Sequence, residues 1–129
     1  MAAARTLTVI HNDITLIASA ADTTATGVSI GTKYGVALLV KITNGATGPT
    51  VPAQCRVQVS GDDSNYYNYG GALVAGTANY AAGPPVVGVY SWDVPLPLDA
   101  QALYVRTVSG SNTGQNVTLR VELATVDSI

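Results

Sequence analysis

Asp62 and Asp63 stand side by side in "SGDDSNYYNYGG", residues 60–71, and Tyr66, Tyr67 and Tyr69 follow them. Adjacent carboxylates with three phenols could hold calcium, stack on a sugar ring, or close a hairpin. A calcium loop of the EF-hand kind needs oxygen ligands at alternating positions and a glycine at the sixth. Counted from either aspartate, tyrosines occupy positions that should be ligands or glycine. The hairpin reading fits better. Val57 and Val59 end an alternating strand, "GDDSN" supplies residues that tolerate the left-handed region and cap their own backbone, and "YYNY" begins the return. Alternation places Tyr67 and Tyr69 on one face, Tyr66 and Asn68 on the other.

Other reactive side chains are sparse. His11 is the only histidine and Cys55 the only cysteine. No intrachain disulfide can form, and no His/Cys/acid set has metal-ligand spacing. The serines lie in no G-x-S-x-G elbow that would pair them with a base. "GVSIGTK" resembles a phosphate loop but has three residues between its glycines, where that loop needs four. The pairs Asp62/Asp63 and Asp93/Asp99 could act as carboxylate couples, yet turn positions account for them. The expectation is a non-enzymatic protein with no cofactor and no metal.

The elements that carry these residues read as strands. In "QCRVQVS", Cys55, Val57 and Val59 alternate with Gln54, Arg56, Gln58 and Ser60. In "QNVTLRVELAT", Val117, Leu119, Val121 and Leu123 alternate with Asn116, Thr118, Arg120 and Glu122. Each has one dry and one wet face. "YGVALLVKIT" turns Val36, Leu38, Val40 and Ile42 inward, and Leu39 leaves its second face partly apolar. Weaker strands are expected at 6–10, 13–19, 27–30, 86–94 and 102–108, divided by "NGATGP", "GDDSN" and "SGSNTG". Residues 71–86 are too rich in Ala and Gly for a core strand and read as a long surface connection. The fold expected is all-β: an antiparallel two-sheet sandwich of about eight strands, jelly-roll or immunoglobulin-like. The Cys…Trp…Cys signature of immunoglobulin domains is impossible with one cysteine. Residues 1–12 form an N-terminal arm or first strand, and 13–129 a single domain.

Charged residues make up 11% of the chain, against roughly a quarter in typical soluble domains. A net charge of −2 offers neither a nucleic-acid footprint nor a polybasic membrane face. The start "MAAARTLTVIHNDITL" lacks the apolar core of a signal peptide, and "GVALLV" is too short to span a bilayer. These features read as a soluble protein made in a cytosol, binding neither nucleic acid nor membrane. So weakly charged a surface suits a chain partly covered by other protein.

The pattern strand–Ser–x–Asp–x–x–Asn–aromatic–Tyr in "VQVSGDDSNYY" resembles hairpins of small β-sandwich proteins in tailed-bacteriophage virions, and also those of discoidin-like carbohydrate-binding sandwiches. Such hairpins often carry Trp where this chain has Tyr66. "ALYVRTVSGSNTGQNVTLRVELATV", with Tyr104 and Arg106, is similar to the closing hairpin of the phage proteins. Together these stretches cover roughly half the chain. The resemblance implies a capsid decoration (cement) protein of the virion, assembled in the host cytoplasm. Its partners would be the major capsid protein or other virion subunits, and it would form a homo-oligomer, a trimer being favoured. The alternative is a carbohydrate- or receptor-binding module of a phage tail or fibre. Tyr66, Tyr67, Tyr69, Tyr80 and Trp92 are the interface candidates, because rings with a polar tip suit surfaces that are dry at one end and wet at the other. Pro95 and Pro97 exclude a central strand after Trp92, which places that residue at a sheet edge.

Overall fold

The computed structural model describes residues 4–69, 73–74, 86–93 and 103–128. Its elements are β1 (Ala4–Leu16), β2 (Thr23–Thr24), β3 (Val28–Ser29), β4 (Gly35–Asn44), β5 (Gln54–Ser60), β6 (Tyr66–Asn68), β7 (Leu73–Val74), β8 (Val86–Asp93), β9 (Tyr104–Gly110) and β10 (Val117–Ser128). One sheet runs β1-β10-β4-β8. The other runs β2-β9-β5-β6, with β3 also on β9 and β7 also on β5. Every pairing is antiparallel.

The short pieces lie in line. β2 and β3 pair with opposite ends of β9, while β6 and β7 pair with opposite ends of β5. Each couple is one interrupted strand, so ten segments make eight ribbons. In that count the first ribbon pairs with the eighth, the second with the seventh, the third with the sixth and the fourth with the fifth, alternating between the two sheets. A long antiparallel hairpin wound into a sandwich has this order, which is the jelly roll. The immunoglobulin-like alternative is set aside by the same pairing.

The dry faces meet as alternation requires. Val36, Leu38, Val40 and Ile42 of β4 and Val117, Leu119, Val121 and Leu123 of β10 are buried against Cys55, Val57 and Val105 of the opposite sheet. Branched aliphatic side chains fill a pleated surface well, and so compact a layer repels water from the space between sheets. The second sheet is less uniform, since Thr107 and Ser109 of β9 also face inward and are fully buried. Burial pushes the Cys55 thiol up from its ordinary pKa, with the neighbouring Ser109 and Arg56 opposing it. Cys55 is thus a core residue.

Ser60 departs from expectation: it is buried, not on a wet face. It closes the mouth of the β5–β6 hairpin, where its hydroxyl donates to Asp62 Oδ1 at 2.9 Å and accepts from the Asp62 amide at 3.1 Å. Its carbonyl takes the Leu103 amide at 2.9 Å. A small hydroxyl with these local partners needs no water.

The segments expected at 6–10 and 13–19 join into the single strand β1, which crosses the expected boundary at residue 12 and pairs with β10 of its own chain. Two bulges, between Val9 and His11 and between His11 and Ile14, bend it in the middle. Asp13 sits there at φ 51°, a conformation aspartate tolerates better than most residues. Ile10, Ile14 and Leu16 pack on the core, whereas residues 4–9 are exposed on both faces. The front half of β1 therefore overhangs the opposite sheet. β8 lies at the other end of its sheet, so Trp92, opposite Val36, is on an edge strand. Of the expected connection 71–86, Leu73–Val74 pairs with β5 and the last residue starts β8; the remainder lies outside the described residues.

Candidate functional site

The opening stretch forms the predicted hairpin. Asp62 organises it: Oδ1 accepts from the amides of Ser64 at 2.9 Å and Asn65 at 2.8 Å, and Oδ2 accepts from Asn65 Nδ2 at 2.8 Å. These donors hold its carboxyl well below the usual carboxylate range. Asp63 takes the left-handed position at φ 60°. The register then pairs Tyr66 with Ser60, Tyr67 with Val59 and Asn68 with Gln58.

Alternation divides the three tyrosines as expected, and their surroundings differ. Tyr66 lies on the outer face of the six-stranded sheet under the Arg106 guanidinium, 3.8 Å from the ring centre. Its hydroxyl donates to Asp63. A methyl group at Gly27 would overlap that hydroxyl, so glycine there leaves the room it occupies. Arg106 Nε donates to Gln58 Oε1 at 2.9 Å, and Gln58 Nε2 donates to Asn68 Oδ1 at 3.1 Å. Further along the same face Arg56 pairs with Asp22 at 2.6 Å. This is a cross-strand ladder of polar groups, each held by its neighbour. Tyr67 is 69% exposed and Tyr69 40%, both at the margin beside β5. They project into solvent where Tyr66 does not.

A second surface was not among the sequence candidates. On the outer face of the four-stranded sheet the register aligns Leu7 with Ala124 and Ala37, and Val9 with Glu122 and Leu39. Leu7 is 60% exposed, Val9 44% and Leu39 37%. Charge bounds this strip and also interrupts it, Glu122 standing between Val9 and Leu39. Arg5 lies beyond Leu7 in the row of Val126; Arg120 and Lys41 lie beyond Leu39 in the next row. Arg120 is tethered, donating to Glu122 Oε1 at 2.8 Å and to Asn12, with Asp13 at 3.5 Å. A shallow hollow lined by Leu39, Val40, Lys41, Arg120 and Glu122 opens beside it. The only sequence sign of this strip was Leu39 on a nominally wet face.

His11 sits at the β1 bulge, half-buried, and burial lowers its pKa. Among the described residues no three of His, Cys, Asp and Glu come together as a metal-holding group. Tyr80 and Asp99 lie outside the described residues, and of Trp92 and Asp93 the backbone pairing alone is described. The structure thus sets Tyr66, Tyr67 and Tyr69 on one hairpin, Tyr66 facing away from the other two, with His11 on the other sheet.

No protein-family model matches the chain. No curated protein matches its sequence. Solved structures share its fold. It superposes on the infectious bursal disease virus Gx strain structure with a TM-score of 0.55 at 12% identity, over 95% of this chain and 31% of the viral one. The VP2 subviral particle of the same virus gives 0.54 at 10% identity, over 95% and 32%. The SPBc2 prophage-derived protein YomS gives 0.52 at 14% identity, over 96% of each chain. The chain thus spans about a third of the viral proteins' length and nearly all of the prophage protein's. It shares its fold with about a third of these viral chains and with nearly the whole of the prophage-derived protein.

Proposed function

We propose that this chain is a structural subunit of a phage particle, with no reaction chemistry of its own, that binds and stabilises a capsid as a decoration or cement protein. The observation that carries the reading is the set of exposed apolar side chains Leu7, Val9 and Leu39 on one outer sheet face, the first two on an edge strand exposed on both sides. Exposed apolar area of this kind belongs against another protein. The jelly roll recurs in viral capsid domains, which supports the setting at the level of fold. The mechanism is clamping: a copy that covers two neighbouring capsid subunits must be detached before they separate. At roughly 25 cal/mol per Å² of apolar surface such contacts add up, though lost freedom on association offsets much of the gain. The partners would be the major capsid protein or other virion subunits, with assembly in the host cytoplasm and a closed homo-oligomer. Co-sedimentation of the purified chain with assembled capsids tests the reading. Binding that raises the temperature of capsid disruption is expected; a chain left wholly in the supernatant overturns it.

A second reading has its own observation, the exposed rings of Tyr67 and Tyr69 at the sheet margin, on the face opposite the Gln58–Arg106–Tyr66 ladder. Such a surface could stack a sugar ring, as in a receptor-binding module of a tail or fibre. Glycan-array binding that Tyr67→Ala abolishes would favour it, and silence on a broad array would remove it.

A further inference from the structure

We propose that β1 is a self-association edge, through which two copies of this chain pair antiparallel along residues 5–9 with Leu7 opposite Leu7 on the two-fold axis. The two four-stranded sheets then fuse into one of eight strands. This goes beyond capsid binding and does not depend on it.

The first ground is the edge itself. β1 ends its sheet, and among the described residues no strand pairs with its outer side. A row of unpaired backbone N–H and C=O groups is a template for another extended strand. Edges are ordinarily blunted by Pro, by inward charges, by bulges or by being short. Residues 5–9, "RTLTV", contain no Pro and run in unbroken register, with shifts only before Arg5 and after Val9. The pairable run is thus five residues long, centred on Leu7, and stops where β1 bends.

The second ground is self-complementarity. An isologous contact requires the same surface on both partners, with residue i meeting j as j meets i. Centred on Leu7, the register sets Thr6 against Thr8, a favourable cross-strand pair, and Arg5 against Val9. Centring on Arg5 would set two guanidinium groups face to face, which like-charge repulsion disfavours. The Leu7 register continues the apolar strip of one copy into that of the other and covers both Leu7 side chains.

Charge gives the third ground. No carboxylate pairs with Arg5 among the described residues. Val9 is followed in its row by Glu122, so Arg5 of one copy points along the row that holds Glu122 of the other. Two strand spacings amount to about 10 Å, within the combined reach of Arg and Glu side chains. A second copy thus supplies the anion that this chain does not.

Sedimentation equilibrium of the full chain over a range of concentrations tests the contact. A two-chain mass is expected, with Leu7→Glu weakening the dimer about tenfold or more by opposing two carboxylates on the axis. Leu7 is exposed, so the variant should fold, which circular dichroism checks. Separately, Leu7→Cys should cross-link to itself on mild oxidation, while Thr43→Cys, on the same face but an interior strand, should not. A monomer at every concentration, a three-chain mass indifferent to Leu7→Glu, or Leu7→Cys that stays reduced would each overturn the proposal. Capsid co-sedimentation is an independent readout, so either idea can fail without the other.

Discussion

Arg106 stacks on Tyr66 while the Tyr66 hydroxyl donates to Asp63, so one ring joins β9 to the β5–β6 turn. Cation and ring attract through the ring quadrupole, and the phenol proton serves the carboxylate. Desolvation, the hydrogen bond to Asp63 and the negative charge of Asp63 push Tyr66 up to about 12, with Arg106 opposing them. The folded pKa lies above the ordinary 10.0, so the neutral phenol is the form folding favours. Its contribution to stability is intact below pH 10 and lost as pH rises through about 12. Ultraviolet difference titration should show one tyrosine ionising late, and Tyr66→Phe should remove that step.

Gly27 lies directly beneath this hydroxyl. Gly27→Ala should force Tyr66 aside, at a cost of about 1–3 kcal/mol, as overpacking usually does. The late-titrating tyrosine should return toward its ordinary pKa in the same variant. Denaturant unfolding and the phenol titration check the two effects together.

Asp127 bonds Lys33 at 2.8 Å, Thr125 at 2.8 Å and Thr6, so it ties the front of β1 to the end of β10. The Lys33 ammonium first, then the two hydroxyls, lower it from 3.8 to about 2. A depressed acid contributes stability above its unfolded pKa and loses it as pH falls through the folded one. Acid unfolding should therefore soften between about pH 4 and pH 2, and Asp127→Asn should flatten that part of the profile. Asp62 behaves in the same sense at still lower pH. Asp62→Ala should loosen the hairpin, visible as faster amide exchange at Ser64 and Asn65.

Leu38 and Leu39 are adjacent but face opposite ways, one fully buried and the other 37% exposed. Leu38→Ala should cost about 2–5 kcal/mol, the usual penalty of a buried cavity. Leu39→Ala should change stability by no more than about 0.5 kcal/mol, as surface substitutions do. If the outer face docks on a capsid, Leu39→Ala should still weaken co-sedimentation. Chemical denaturation and the binding assay separate the two roles.

Tyr67→Ala should likewise leave stability within about 0.5 kcal/mol of the parent. Its effect should appear in binding to capsid or glycan. A large loss of stability would show the ring to be part of the fold.

Much of this molecule followed from sequence because strand alternation and turn chemistry are local. Val117, Leu119, Val121 and Leu123 specify a dry face whatever they pack against, and "GDDSN" contains the donors and acceptors of its own turn. The two-sheet class followed from the absence of helical periodicity. What lay beyond reach was relational. Jelly roll and immunoglobulin-like sandwich differ in which strands are neighbours, and no local pattern says that β1 lies beside β10. In "TLTVI" alternation is satisfied with Leu7 and Val9 facing either way. Only Ile10, Ile14 and Leu16, packed on the core across two bulges, turn them outward. Tyr66 and Tyr67 are likewise indistinguishable in sequence; Arg106 and Gly27, distant along the chain, decide which ring is held and which is free. Periodicity is a property of a few consecutive residues, whereas an exposed edge or an occupied ring depends on what the rest of the chain brings alongside.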